Sequence, residues 1–254
     1  MAGSSVNYRR LEADKIIETV KALRARIEDR FPGSGLGKVV GELQLVAEET
    51  VGRTHWIQKP HLLLRCIALL LSVFIIVLLA FLLAHVRQFN FEDFTNSVQA
   101  LDSSISSVVF IGATILFFLS WENRIKRGRA LKAIHELRAL AHIVDMHQLT
   151  KDPESCSGQG QLTAHLRKRR LTPFELNRYL DYCSDALALI SKIAALYVQG
   201  FADPVLLNAV DDVEDLTAGF SRKIWQKITI LENLRRALPG ADPFESLPGK
   251  HPTP

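Results

Sequence analysis

Cysteine is scarce in this chain of 254 residues, with Cys66, Cys156 and Cys183 the only three. They form no CxxC pair and fall in an apolar run, a polar loop and an amphipathic stretch. They are therefore read as reduced thiols on the cytoplasmic side of a membrane, not as a disulfide framework. A P-loop, a GxSxG elbow, a Rossmann fingerprint, a kinase motif and the TVGYG potassium filter are all absent. The one glycine-rich loop, Gly33-Ser34-Gly35-Leu36-Gly37, follows a helical pattern instead of a strand, so it reads as a helix terminator. Met1 to Arg10 is polar, and no N-terminal signal peptide is expected.

What the chain has is apolar residues concentrated in two places. Its mean hydropathy is +0.10, high for a sequence with 23% charged residues. From Cys66 to Ala84 there are 19 consecutive uncharged residues, and from Ser103 to Trp121 another 19. At about 1.5 Å per helical residue, either run matches the hydrocarbon thickness of a bilayer, and Trp121 stands where an indole prefers the interface. The expected fold is an all-α integral membrane protein with two transmembrane helices and cytoplasmic helical hairpins.

Charge sets the orientation. Arg53, Lys59 and Arg65 precede the first run, and Arg124, Lys126, Arg127, Arg129 and Lys132 follow the second. The connection 87–104 carries one Arg against Glu92, Asp93 and Asp102. The positive-inside bias thus puts both termini in the cytoplasm of a multi-pass cell (inner or plasma) membrane protein, with 87–104 outside. The net charge of +4 and a pI near 9.0 are accounted for by topology, and no nucleic-acid partner is expected.

The flanking segments are helical by periodicity. Residues 1–61 form an αα-hairpin in which Leu11, Ile16, Val20, Leu23, Ile27 and Phe31 recur at helical steps, and Pro32-Gly33-Ser34-Gly35 separates them from a stretch carrying Val39, Leu43 and Val46. The transmembrane hairpin is 62–121. Residues 122–149 continue it as a membrane-proximal amphipathic helix with Leu131, Ile134, Leu137, Ala141 and Val144 on one side. Residues 150–171 have linker composition and end in the basic run Arg167-Lys168-Arg169-Arg170. Thr172-Pro173-Phe174-Glu175 reads as a capping box opening the hairpin 172–238, Asp203-Pro204 repeats the device, and a disordered tail is expected over 239–254. In the last helix Val210, Val213, Thr217, Phe220, Ile224, Leu231, Leu234 and Leu238 form a coiled-coil-like seam interrupted by Lys227. Its cover is either the Thr172 helix or a second copy, and Val213, Phe220, Ile224 and Leu231 are the expected oligomerisation residues.

Candidate chemistry is sparse. His135, His142, Asp145 and His147 share a stretch of helix, but their order matches no established zinc spacing, so they are read as solvated or capping residues and no cofactor is expected. Asp211, Asp212, Glu214 and Asp215 suit the positive end of a helix dipole. Arg124, Lys126, Arg127, Arg129 and Arg167 to Arg170 are candidates for anionic lipid head groups. Ser103, Ser107 and Thr114 share one face of the second span, and Ser106, Ala113 and Ser120 another, suited to helix packing or to a pore. No Asp, Glu, Lys or His lies deep in either run, which argues against a proton relay. The expected function is a non-enzymatic, homo-oligomeric scaffold, sensor or regulator in the bilayer. A homo-oligomeric channel lined by the second span is the alternative, and a metal-dependent enzyme using the His135 group is a third reading.

Overall fold

Ile16, Val20, Leu23 and Ile27 recur at steps of four, three and four, so a helix through them has one apolar stripe. The computed structural model describes residues 10–59, 62–86, 94–151, 153 and 171–237, and among these all regular structure is helical, with no strand. Six helices follow in order: α1 (Ala13–Arg30), α2 (Gly35–Gln58), α3 (Leu62–Val86), α4 (Phe94–Leu149), α5 (Pro173–Val198) and α6 (Pro204–Ala237). The chain divides into two units, residues 53–133 and the remainder.

The larger unit is built around α5. Leu180, Leu187, Ile190 and Ile193 are fully buried, and Tyr179, Cys183, Ala186 and Tyr197 are buried between them on the same broad face. It packs along α6 and against α1. The entry to α5 is fixed by a capping box: Thr172 Oγ1 accepts from the Glu175 N–H at 3.2 Å, and Glu175 Oε2 accepts from the Thr172 N–H at 2.8 Å. The Thr172 N–H and hydroxyl bonds hold the Glu175 carboxyl below the usual range. Asp203 caps α6 without a reciprocal partner, its Oδ1 accepting from the Val205 and Leu206 N–H groups.

Between α1 and α2 the backbone must reverse without a helical residue. Phe31 donates its N–H to the Ile27 carbonyl at 2.7 Å. Gly33 then takes φ = +67°, a conformation that L side chains rarely adopt, and its N–H donates to Glu28 Oε1. Ser34 Oγ accepts from Gly37 N–H to start α2. Two exposed contacts join these helices, Lys21 to Glu48 at 3.0 Å and Arg24 to Gln44 at 3.0 Å, and exposed pairs of this kind contribute little. Further hold comes from Phe31, set edge-on to Tyr179 and Tyr182 of α5, and from the buried Thr50 hydroxyl, 3.1 Å from Tyr197 Oη.

In the smaller unit α3 and the adjoining part of α4 turn large apolar side chains outward. Leu70 is 68% exposed and Phe110 74%, with Leu69, Phe74, Ile76, Val77, Phe81, Val109 and Leu116 also exposed. One helical stretch among the described residues, Val108–Leu149, contains a window long and apolar enough to cross a membrane, and 6% of that window is buried.

Two expectations change. The connection 87–104 is not a loop throughout: residues 87–93 lie outside those described, and α4 is already helical at Phe94. Phe94 to Ser104 contains no Pro or Gly to stop a helix begun upstream of the apolar run. The second change concerns α6. Val213, Phe220, Ile224 and Leu231, the expected oligomerisation residues, are buried inside one chain, where α6 runs along α5. The stripe is covered intramolecularly because a short connection returns the chain beside α5. The linker from 154 to 170 and the tail from 238 lie outside the described residues.

Ile224→Asp therefore places a carboxylate among packed side chains of its own chain, and a stability loss of about 4 kcal/mol or more is expected. Urea unfolding in detergent, followed by circular dichroism, measures it. An unchanged midpoint with a halved particle mass would return the seam to an interface between copies.

Candidate functional site

Cationic side chains beyond the apolar run of α4 meet three different environments. Trp121 is exposed at its end, with Phe117 edge-on at 5.1 Å. One turn further, Lys126 Nζ lies 2.7 Å from Glu122 Oε1, and the two side chains are only 7% and 8% exposed. A buried pair of this geometry is a neutral unit, because each charge has its counter-ion at hydrogen-bond distance. Lys126 is thereby withdrawn from the set of head-group ligands that the sequence suggests. Arg129 is exposed, and its guanidinium sits 3.8 Å from the ring centroid of Trp56 on α2. Arg124 and Lys132 are exposed, while Arg127 is half-buried and engaged with neighbours. Arg167, Lys168, Arg169 and Arg170 lie outside the described residues.

The histidine group does not converge. His135 is exposed, and His142 is exposed with its ring edge-on to Phe220 at 5.5 Å. Asp145 accepts from Gln148 Nε2 at 2.7 Å. His147 is half-buried against Gly35, where its ring occupies the space a Cβ would need, and partial burial together with Lys151 lowers its pKa. Among the described residues no group of three His, Cys, Asp or Glu is placed to hold a metal ion. Asp211, Asp212, Glu214 and Asp215 are all exposed, and Asp212 lies 3.9 Å from Arg138 of α4.

Of the small residues in the apolar part of α4, Ser106, Ala113, Thr114 and Ser120 are exposed. The side chains of Ser103 and Ser107 lie outside those described. Thr114 Oγ1 donates to the Phe110 carbonyl of its own helix at 2.8 Å. Cys66 is exposed on α3, and Cys156 lies outside the described residues.

The residue that sequence reasoning left unexplained is Lys227. Its ammonium donates to the carbonyl oxygens of Gln148 at 2.8 Å and Lys151 at 3.1 Å, at and just beyond the C-terminal end of α4. Terminal helix carbonyls lack intrahelical donors, and a cation there also meets the negative end of the dipole. A lysine interrupting an apolar stripe was the only signal of this role. Around it Lys151 lies over the Tyr179 ring, and Cys183 is fully buried. Gln148 is buried as well, with Oε1 left without a hydrogen-bond partner. Burial pushes the Cys183 thiol up to about 12 against the opposing pull of Lys151 and Lys227, and it raises Tyr179 as well. This junction is structural: its hydrogen bonds complete a helix end, and its thiol is held protonated.

No protein-family model, curated protein or solved structure matches the chain.

Lys227→Met should speed amide hydrogen exchange over 145–151, with protection at the start of α5 retained; unchanged exchange would show the cap to be dispensable. For Cys183 the native chain holds a proton that the unfolded chain releases above about pH 9. Its contribution to stability therefore declines as pH rises from 9 toward 12. A chain retaining only this cysteine should show a smaller alkaline loss of stability after Cys183→Ala, and the native thiol should resist maleimide at neutral pH.

Proposed function

We propose that the chain is a non-enzymatic membrane protein that crosses the bilayer twice through α3 and α4, with both termini cytoplasmic. The larger helical unit serves as a scaffold or regulator that the spans hold at the membrane, and copies associate through the spans. The single observation that carries this reading is the outward-facing apolar surface of α3 and α4. Large apolar side chains such as Leu70 and Phe110 are exposed in number along each of the two helices, which is costly in water. Their backbone groups are satisfied within the helix, which is what hydrocarbon demands.

Length agrees. The 25 residues of α3 rise about 37 Å and the 56 of α4 about 84 Å, so α3 fits a bilayer and α4 continues well beyond one. The lysine and arginine excess flanking the two runs favours the cytoplasmic placement of both ends.

With the α6 stripe covered by α5, contact between copies is assigned to the small-residue face of Ser106, Ala113 and Ser120, which allows close helix approach. The channel reading uses the same residues. Thr114 favours packing over a pore, since its hydroxyl is already bonded to its own helix and needs no water-filled lumen.

The test has two readings. Cysteine introduced at Asn96 should react with an impermeant thiol reagent on intact cells, and cysteine at the exposed position Lys192 should react only after permeabilisation. The opposite pattern inverts the topology, and equal reaction at both removes the membrane reading. Light scattering with the detergent contribution subtracted should give more than one chain per particle; a single chain would remove both the oligomer and the channel.

A further inference from the structure

We propose that Arg129 and Trp56 form a binding site for the phosphate of anionic phospholipids at the cytoplasmic face. The proposal rests on the membrane reading above. Its first support is geometric. The guanidinium lies 3.8 Å from the indole centroid, so one face of the cation is occupied by the ring. A guanidinium stacked on a ring keeps its five N–H donors in the plane, where they match two oxygens of a phosphate. The indole supplies the amphipathic surface that settles at the level of head groups.

The second support is the distribution of charge around the pair. Glu122 is the only carboxylate between Trp121 and His135, and it is committed to Lys126 at 2.7 Å. Arg124, Arg129 and Lys132 are exposed, and no carboxylate among the described residues is paired with any of them. Three basic side chains on one short stretch of helix, with no counter-ion among the described residues, attract a mobile anion. Placement selects its source. Arg129 stands eight residues after Trp121, a rise of about 12 Å, somewhat beyond a head-group layer of about 5–8 Å. Side chains of a helix lean toward its N-terminus, so on α4 a long arginine reaches back toward the membrane and not away from it. Lipid phosphate is therefore nearer than any soluble anion is held. Lys126, three residues before Arg129, takes no part because it is buried against Glu122.

The experiment uses the full chain with Trp121→Phe and Trp225→Phe, leaving Trp56 as the only indole, in nanodiscs of phosphatidylcholine doped with phosphatidylglycerol. Bromine is carried near the head group on one lipid at a time, and quenching of Trp56 reports which lipid is enriched beside it. Brominated phosphatidylglycerol is expected to be enriched about fivefold over its bulk fraction through Arg129 alone. Arg129→Gln should abolish that share, Arg129→Lys should keep part of it because charge without the planar fork remains, and raised salt should weaken it. Circular dichroism confirms that each variant retains its helices. Equal quenching by both lipids in the parent chain, or enrichment that survives Arg129→Gln, overturns the proposal. Loss of the enrichment on adding inorganic phosphate at constant ionic strength also overturns it, by assigning the site to a soluble anion. Quenching by neither lipid would instead count against the membrane reading itself.

Discussion

Apolar side chains must leave water, and this chain meets that constraint in two different media. Along α5 the solution is protein: α1 and α6 cover a helix whose Leu180, Leu187, Ile190 and Ile193 have no exposure. Along α3 and the apolar part of α4 the described side chains are exposed or half-exposed, and the proposed solution is lipid. The two kinds of helix differ in how charge is distributed along them. α5 is capped at its start by Thr172 and Glu175, and charged positions such as Arg178, Asp181, Asp185 and Lys192 recur along it. α3 carries one charged residue, Arg65, near its beginning. A helix with charges in every second turn keeps one edge wet, whereas one without them has no edge to offer to water.

Given that arrangement, three cations are handled by three different physical devices. Lys227 completes the carbonyl end of α4, Lys126 is neutralised by Glu122, and Arg129 is stacked on Trp56. These differ in what they leave available. An ammonium held in a cap or a buried ion pair has its charge turned into the protein, while an exposed stacked guanidinium keeps its donors for solvent. Removing only one partner of the Glu122 pair would strand a buried charge, at a cost of about 3–5 kcal/mol. The stacked arginine, already exposed, carries no such penalty.

Much of the local structure was legible because it depends on neighbours in sequence. The box at Thr172, the cap at Asp203, the stop at Pro32 to Gly35 and the apolar stripe of α1 each follow from residues within one or two turns. What was not legible depends on residues far apart. Periodicity shows that Val213, Phe220, Ile224 and Leu231 need a cover, but not that α5 of the same chain supplies it. Lys227 looked like a defect in the stripe until the end of α4 was found beside it. Lys126 and Arg129 read alike as basic residues, and only their surroundings, Glu122 in one case and the indole of Trp56 in the other, separate their roles. The helical start at Phe94 was hidden because the uncharged run from Ser103 to Trp121 set the expected bounds of the second span, and the helix begins nine residues before it.

The pairing of Thr50 with Tyr197 joins residues 147 positions apart, and this sets a schedule for synthesis. Translation proceeds at about 5–20 residues per second, so the ribosome needs roughly 7–30 s to deliver the partners that α1 and α2 require. During that interval Ile16, Val20, Leu23 and Ile27 have no α5 to lie against, while both long apolar runs emerge and must find their own medium. The N-terminal helices thus wait in an unfinished state through the period of greatest exposure. A chaperone holding them, or an early loose pairing between α1 and α2 through Lys21 and Glu48, would keep the nascent chain from aggregating before its core exists.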